Sequence, residues 1–105
     1  PSPSLSLHHA VSGDEQLDAL TKYCERYSTQ ESTSLSSLRH HTLTHFSGGE
    51  RMLCTNIQGR LLSSLVSLSQ AKHILELGTF TGYSAICLAE GQREREKEGG
   101  RERER

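Results

Sequence analysis

Residues 76–84 combine the side-chain types that bind a small polar ligand. The segment reads ELGTFTGYS, with one carboxylate, two glycines and several hydroxyls. The first glycine lets the backbone pass close to a ligand, and Gly82 tolerates backbone angles that a β-carbon would forbid. The hydroxyls of Thr79, Thr81 and Ser84 add hydrogen-bonding groups. Residues in this order indicate a binding loop.

The elements around this loop predict its place in an α/β fold. The apolar run at residues 73–77 predicts a strand, and the sequence from Tyr83 onward predicts a helix. In open α/β sheets, the turn between a strand and the next helix binds small ligands, because backbone N–H groups and the positive end of the helix dipole converge there.

The glycine spacing disfavours two other kinds of motif. The pattern is G-x-x-x-G rather than the G-x-G-x-x-G of dinucleotide-binding enzymes, and no basic residue follows at the P-loop position. A pyrophosphate-binding loop is therefore disfavoured. G-x-x-x-G also occurs where membrane helices pair, but no run of about 20 apolar residues carries it here.

The loop and the sequence before it resemble the S-adenosylmethionine-dependent class I O-methyltransferases of the catechol and caffeoyl-CoA type. Residues 76–84 are similar to the first cofactor motif of that family over its whole length. Residues 51–54 and 58–62 stand at the spacing of the segment over the cofactor and of the helix before the first strand. The resemblance implies a Rossmann-like α/β fold, with residues 13–91 forming its amino-terminal part of three to four helices and the first strand.

The resemblance also implies a site for S-adenosylmethionine. It assigns cofactor-binding roles to Met52, Cys54, Glu76, Gly78, Thr79, Phe80 and Ser84. Glu76 would meet the methionine end of the cofactor with its positive ammonium, and the alternative is a carboxylate at a strand end that meets solvent or a neighbouring N–H. The alternative for Met52 is a side chain that fills a gap in the packing.

The rest of that family's site has no counterpart in this sequence. The family's second strand ends in an acidic residue that holds the cofactor ribose, and later residues supply metal ligands and a lysine base. No catalytic residue and no metal ligand is assigned here, although the resemblance implies a divalent cation, Mg²⁺. In the complete enzyme it implies methyl transfer to a hydroxyl of a small molecule, and a homodimer. We expect the chain alone to be an inactive fragment that binds S-adenosylmethionine feebly or not at all.

Charge and cysteine content limit the partners and the cellular location that the sequence predicts. The net charge is −1, and residues 1–91 hold six Lys/Arg and eight Asp/Glu, so no basic patch indicates a nucleic acid partner. Three cysteines without a C-x-x-C pair predict reduced thiols and a cytoplasmic location. No signal peptide is visible, and no membrane partner is expected.

Three capping patterns predict helices before the loop. Residues 12–15 would begin a helix over residues 14–27, and residues 28–31 would begin a shorter polar helix. Residues 55–58 would begin the strongest helix, whose apolar stripe should pack against the sheet of the complete fold and which should end near Ser69. Residues 1–12 are serine-rich and predict a disordered leader.

Two of the histidines in the polar helix would share one face. His41 and His45 stand four residues apart, but a zinc site needs three or four ligands. No acid or cysteine stands at a helpful spacing nearby, so surface histidines are favoured over a metal site.

Residues 92–105 have a different character. Eleven of these fourteen residues are charged and none is apolar, which predicts a disordered Arg/Glu tail that contributes nothing to folding. Alternating charges can support a solvated helix, but Gly99 and Gly100 interrupt the pattern. The favoured origin of this Arg/Glu segment is a reading frame that continues into a simple nucleotide repeat. The alternative function is a non-enzymatic interaction protein that uses this tail.

Overall fold

The computed structural model describes residues 13–103 as a set of packed helices. The five helices are α1 Gly13–Tyr27, α2 Thr33–His45, α3 Gly49–Met52, α4 Asn56–Ser69 and α5 Tyr83–Arg103. α4 and α5 share the largest contact, α2 packs on α5 and α3, and α1 touches α4. No helix within the described range is long and apolar enough to cross a membrane.

The first predicted helix is confirmed as α1, which lies on the outside of the fold. It spans Gly13–Tyr27, within one residue of the predicted start. Its apolar residues Leu17 and Leu20 are 63% and 58% exposed. The predicted leader, with Ser12 of the capping pattern, lies outside the described residues.

The predicted start of the second helix at residues 28–31 is wrong. α2 begins at Thr33, and the side chain of Ser32 caps it by accepting from the backbone N–H of Leu35 at 3.4 Å. Ser28 instead donates to the carbonyl of Cys24 at 2.6 Å and so closes the end of α1. Glu31 accepts from Arg39 and Tyr83 instead of capping, and Ser32 is the N-cap.

The third capping pattern is confirmed at the start of α4. Thr55 Oγ1 accepts from the N–H of Gln58 at 3.2 Å, and Gln58 Oε1 accepts from the N–H of Thr55 at 2.9 Å. α4 ends at Ser69, as predicted, and Gln70 follows with a φ of 55°.

The face that α4 buries is not its leucine stripe. Its buried residues are Gly59, Ser63 and Val66, while Leu61 and Leu65 are 58% and 53% exposed. The stripe is exposed among residues 13–103, and its packing against the sheet of a complete fold stays a prediction. Small side chains face α5 instead, because they let the two backbones approach closely.

Two glycines mark the closest contact between α4 and α5. A β-carbon on Gly59 would lie 2.6 Å from the sulfur of Cys87, and one on Gly91 would lie 2.9 Å from Cα of Ser63. Ser63 Oγ donates to the carbonyl of Cys87 at 2.7 Å across the same contact. The seam formed by Gly59, Ser63, Cys87 and Gly91 therefore leaves no room for larger side chains.

The predicted strand at residues 73–77 is not formed. These residues form an irregular connection between α4 and α5, and no strand occurs in the described part of the chain. A strand exists only when a neighbouring segment pairs with it. No other segment within residues 13–103 pairs with this one, and Leu75 and Leu77 remain 85% and 87% exposed. The α/β class is therefore not visible among residues 13–103, although α1, α2, α4 and α5 cover segments in which helices were predicted.

The expected disorder of the Arg/Glu segment is wrong for residues 92–103. α5 continues without a break to Arg103. Glu, Arg and Lys are good helix formers, and opposite charges three or four residues apart support one another. Arg95 Nη1 also donates to the carbonyls of Gln70 and Ala71 at 2.9 and 3.0 Å. Gln92 donates to the carbonyls of Ala71 and Lys72.

Replacement of Gly91 by alanine should destabilise the fold, because the added methyl group would overlap the backbone of Ser63. We expect a loss of about 1–3 kcal/mol in the free energy of unfolding. The matched variant Gly99→Ala adds the same methyl group where nothing lies within 4 Å, and it should be neutral or stabilising by up to about 1 kcal/mol. Urea unfolding followed by circular dichroism measures both. Equal effects of Gly91→Ala and Gly99→Ala on the free energy of unfolding would contradict the close contact at the seam.

Arg95→Ala should also destabilise the fold, because Arg95 holds the carbonyls that follow α4. The side chain is partly exposed, so we expect about 1 kcal/mol, or a melting temperature lower by about 4–8 °C. Arg93→Ala removes the same charge at an exposed position two residues earlier, and it should change stability by less than about 0.5 kcal/mol. An unchanged melting temperature in Arg95→Ala would restore the expectation of a passive tail.

Candidate functional site

The loop before α5 contains three residues with left-handed backbone angles. The φ angles are 83° at Gly78, 51° at Phe80 and 97° at Gly82. The N–H of Gly82 donates to the carbonyl of Thr79 at 3.0 Å and closes a tight turn. Glycine adopts such angles without strain, whereas they cost energy at Phe80.

Contacts from α2 hold this turn in place. Thr42 is fully buried, and its hydroxyl lies 2.8 Å from the hydroxyl of Thr81. The ring of Phe46, next after α2, meets the ring of Phe80 edge-on at 5.7 Å between centroids. These two contacts stabilise the strained turn, and they tie it to a helix rather than to a sheet.

Glu76 has one satisfied and one unsatisfied carboxylate oxygen. Ser84 Oγ donates to Glu76 Oε1. Glu76 Oε2 is buried and has no hydrogen-bond partner among the described residues. A buried carboxylate oxygen without a partner is costly, so this atom is suited to a donor or a positive charge on a ligand.

An open pocket lies beside this carboxylate. Its volume is about 200 Å³. It is lined by Ile74, Glu76, Ala85, Leu88, Ala89 and Gln92. Apart from Glu76 and Gln92 the lining is apolar, so the carboxylate supplies its only formal charge.

A second polar cluster joins α2 to the start of α5. Arg39 lies 2.6 Å from Glu31 Oε1 through its Nε atom, and its Nη2 donates to the carbonyl of Cys54 at 2.7 Å. The hydroxyl of Tyr83 donates to the same oxygen of Glu31. The guanidinium of Arg39 also lies over the Tyr83 ring, 4.5 Å from its centroid. We call Glu31, Arg39 and Tyr83 the arginine cluster.

Burial changes the protonation chemistry of this region. Burial and the neighbouring Glu31 raise the pKa of Tyr83 well above its ordinary value, so its hydroxyl stays protonated as a donor. Burial lowers the pKa of Arg39, but the hydrogen bonds to Glu31 and Tyr83 more than offset this, so it stays charged. Burial raises the pKa of Cys87 to about 11, which leaves that thiol unreactive at neutral pH.

The structure brings some of the predicted site residues together and leaves others apart. Glu76 and Ser84 are in contact, as a shared role requires. Gly78 and Thr79 lie exposed on the turn, with Phe80 40% exposed beside them.

The two upstream residues of the predicted site, Met52 and Cys54, differ from each other in exposure. Met52 is 66% exposed at the end of α3, and Cys54 packs partly buried against the core formed by Leu35, Leu53, Tyr83 and Cys87. Only the carbonyl of Cys54 is joined to the arginine cluster.

Sequence reasoning missed the residues that hold the loop. The sequence assigns no role to Thr42 or Arg39 and predicts only a capping role for Glu31. Thr81 lies 39 residues from Thr42, and Tyr83 lies 52 residues from Glu31, so local sequence patterns do not show these contacts. Tyr83 stood within the recognised motif but was read only as the start of a helix. The position of Tyr83 between a glycine and a serine of that motif is the signal that could have indicated a role in holding the loop.

The histidines of α2 form a stacked pair rather than part of a larger cluster. The rings of His41 and His45 lie 4.1 Å apart at 22°, and both residues are exposed. No group of three or more metal-binding side chains lies within the described residues.

The glycine turn, its carboxylate and the helix that follows are the features of a family that sequence comparison identifies. A sequence model of the O-methyltransferase family matches residues 25–97. The chain therefore belongs to the O-methyltransferase family.

The similar proteins bear names from the same family. The chain is 46% identical over 70 residues to catechol O-methyltransferase domain-containing protein 1 of Mus musculus, covering 67% of the chain and 26% of that protein. It is 37% identical over 76 residues to caffeoyl-CoA O-methyltransferase of Populus kitakamiensis, covering 70% of the chain and 32% of that protein. It is 34% identical over 80 residues to O-methyltransferase ankF of Aspergillus thermomutatus, covering 76% and 33%. The matches thus span about a quarter to a third of these relatives, and no solved structure gives a significant match.

Thr42→Val should release the turn, because it removes the hydroxyl that meets Thr81 and keeps the side-chain shape. We expect a loss of about 1 kcal/mol in the free energy of unfolding and faster hydrogen exchange at the N–H of Gly82. Thr42→Ser is the matched control, since it keeps the hydroxyl and loses only a methyl group. Equal exchange at Gly82 in both variants would show that the hydroxyl pair does not hold the turn.

Proposed function

We propose that this chain forms the amino-terminal part of an S-adenosylmethionine-dependent O-methyltransferase domain and binds the methionine end of the cofactor. The observation that carries the proposal is the buried, unpartnered Oε2 of Glu76, held beside a glycine turn. Family membership supports the choice of cofactor. The remaining members of the proposed contact set are Met52, Cys54, Gly78, Thr79, Phe80 and Ser84.

The residues present fit the methionine end of the cofactor. That end carries an ammonium, and a buried carboxylate oxygen with no donor is a suitable partner for it. Ser84 holds Oε1 of the same carboxylate, so the free oxygen has a fixed direction. A β-carbon on Gly78 would meet nothing within 4 Å, so the space beside this residue is open to a ligand.

The chemical step is assigned to the complete enzyme. S-adenosylmethionine supplies a methyl group on a positively charged sulfur, and the acceptor that we propose is a hydroxyl of a small molecule. Within this chain, Glu76 and Ser84 bind and orient the cofactor, and contacts from Thr42 and Phe46 hold the turn. No catalytic residue is proposed among residues 13–103, and a divalent cation would need ligands from elsewhere.

The alternative of a non-enzymatic interaction protein has weaker support. The family match runs to residue 97 and so includes the first six residues of the Arg/Glu-rich segment. Gln92 and Arg95 also pack against the end of α4, as helical residues of the same domain would. The free thiols of Cys24, Cys54 and Cys87 agree with the cytoplasmic location that we propose.

Titration of the chain with S-adenosylmethionine, followed by amide chemical shifts, tests the proposal. Because only part of the pocket is proposed here, we expect a dissociation constant on the order of 1 mM, or about −4 kcal/mol. The shifts should be confined to residues 76–84 and their neighbours. Glu76→Gln should weaken binding about tenfold through loss of the charge-assisted contact, about 1.4 kcal/mol.

Two controls make the result specific. 5′-Methylthioadenosine lacks the amino-acid end, so its weaker shifts should not change in Glu76→Gln. Gly78→Ala should weaken binding of S-adenosylmethionine, whereas Gly48→Ala, also at a positive φ with open surroundings, should not. Absence of shifts at 10-fold the expected dissociation constant, or equal binding by Glu76→Gln, would overturn the proposal.

A further inference from the structure

The arginine cluster touches both segments that the proposed pocket needs, although neither Glu31 nor Arg39 belongs to the proposed contact set. On one side, Arg39 Nη2 holds the carbonyl of Cys54 at 2.7 Å. On the other side, Tyr83 begins α5 and directly precedes Ser84, the residue that orients Glu76. Glu31 joins the two sides by accepting from both Arg39 and Tyr83 on one oxygen.

The geometry of the cluster requires an arginine. The guanidinium makes two hydrogen bonds in different directions, to a carboxylate and to a backbone carbonyl, and its Cζ atom lies over the Tyr83 ring, 4.5 Å from the ring centre. A planar group with several fixed donors can do this, whereas a lysine ammonium acts as a single point charge on a flexible chain.

Burial strengthens the hydrogen bonds of the arginine cluster. Tyr83 is 2% exposed, and the side chains of Arg39 and Glu31 are 25% and 17% exposed. Partly desolvated, charge-assisted hydrogen bonds are stronger and shorter than exposed ones, so they restrict motion of the groups that they join.

We propose that Arg39 is a positioning residue for the cofactor pocket: with Glu31 it fixes the segment that contains Cys54 against the start of α5, and so sets the separation of the two sides of the pocket. This inference rests on the proposed function. Arg39 does not itself touch the cofactor in this proposal; it acts through the carbonyl of Cys54 and through Tyr83.

The three free thiols report on this arrangement in the full-length chain. Cys54 lies in the segment that Arg39 holds, Cys24 lies on α1, and Cys87 is buried in the core at 1% exposure. Alkylation by iodoacetamide, resolved by peptide mass spectrometry, gives a rate for each thiol. The Cys54 rate measures release of the segment, the Cys87 rate measures opening of the core, and the Cys24 rate is a reference.

Arg39→Lys is the decisive variant, because it keeps the positive charge beside Glu31 and removes the forked contact with the Cys54 carbonyl. We expect the alkylation rate of Cys54 to rise about fivefold or more, with the rates of Cys24 and Cys87 unchanged. We also expect affinity for S-adenosylmethionine to fall about fivefold in the same shift titration. Arg26→Lys, at an exposed position on α1, is the matched control and should change neither quantity.

The other possible outcomes test separately the positioning role of Arg39 and its link to the cofactor pocket. An unchanged Cys54 rate in both Arg39→Lys and Arg39→Met would overturn the positioning role. Faster alkylation of both Cys54 and Cys87 in both variants would assign the cluster to the stability of the core and overturn it too. A faster Cys54 with unchanged cofactor affinity would overturn the link to the pocket. If the wild-type chain shows no cofactor shifts, the proposed function and this link both fail, while the Cys54 rate still decides whether Arg39 holds the segment.

Discussion

The close approach of α4 to α5 is the constraint on which the candidate site depends. Gly59 and Gly91 leave no β-carbon between the helices, and Ser63 donates across the gap to the carbonyl of Cys87. The part of α5 from Tyr83 to Gly91 is thereby fixed against α4, and this part includes its first turn. Because Ser84 lies in that turn, the contact between the helices decides where Ser84 can meet Glu76.

The geometry of the turn is set from the helical side of the molecule. The hydroxyl of Thr42 and the ring of Phe46 hold residues 80 and 81, and the N–H of Gly82 closes the turn locally. Residues 73–77, which lead into the turn, make no strand pairing among the described residues. The left-handed angles of the turn therefore do not require a sheet, although an α/β fold would place one next to it.

Features that depend on neighbouring residues could be predicted from the sequence, whereas features that depend on contacts between distant residues could not. The capping box of Thr55 and the start of α5 at Tyr83 depend on residues within one turn, so the sequence indicates them correctly. The predicted start of α2 is wrong where Glu31 accepts from Tyr83, 52 residues along the chain, and from Arg39 within α2. The helix over residues 92–103 is not expected from the sequence because Gly99 and Gly100 interrupt the charge pattern, and the carbonyls that hold Arg95 lie 24 and 25 residues earlier.

The same division applies to the candidate site. The resemblance to the family's first cofactor motif implies binding roles for both Glu76 and Ser84, and the structure adds that one oxygen of Glu76 is oriented while the other lacks a partner among the described residues. An oxygen that is fixed before the ligand arrives loses less freedom on binding, which favours affinity. The cost of leaving it unpaired is met by the packing of α4 on α5, since that contact is formed whether or not a ligand is present. Folding of the helices and the proposed binding at the turn thus involve separate contacts, which are joined where α5 begins.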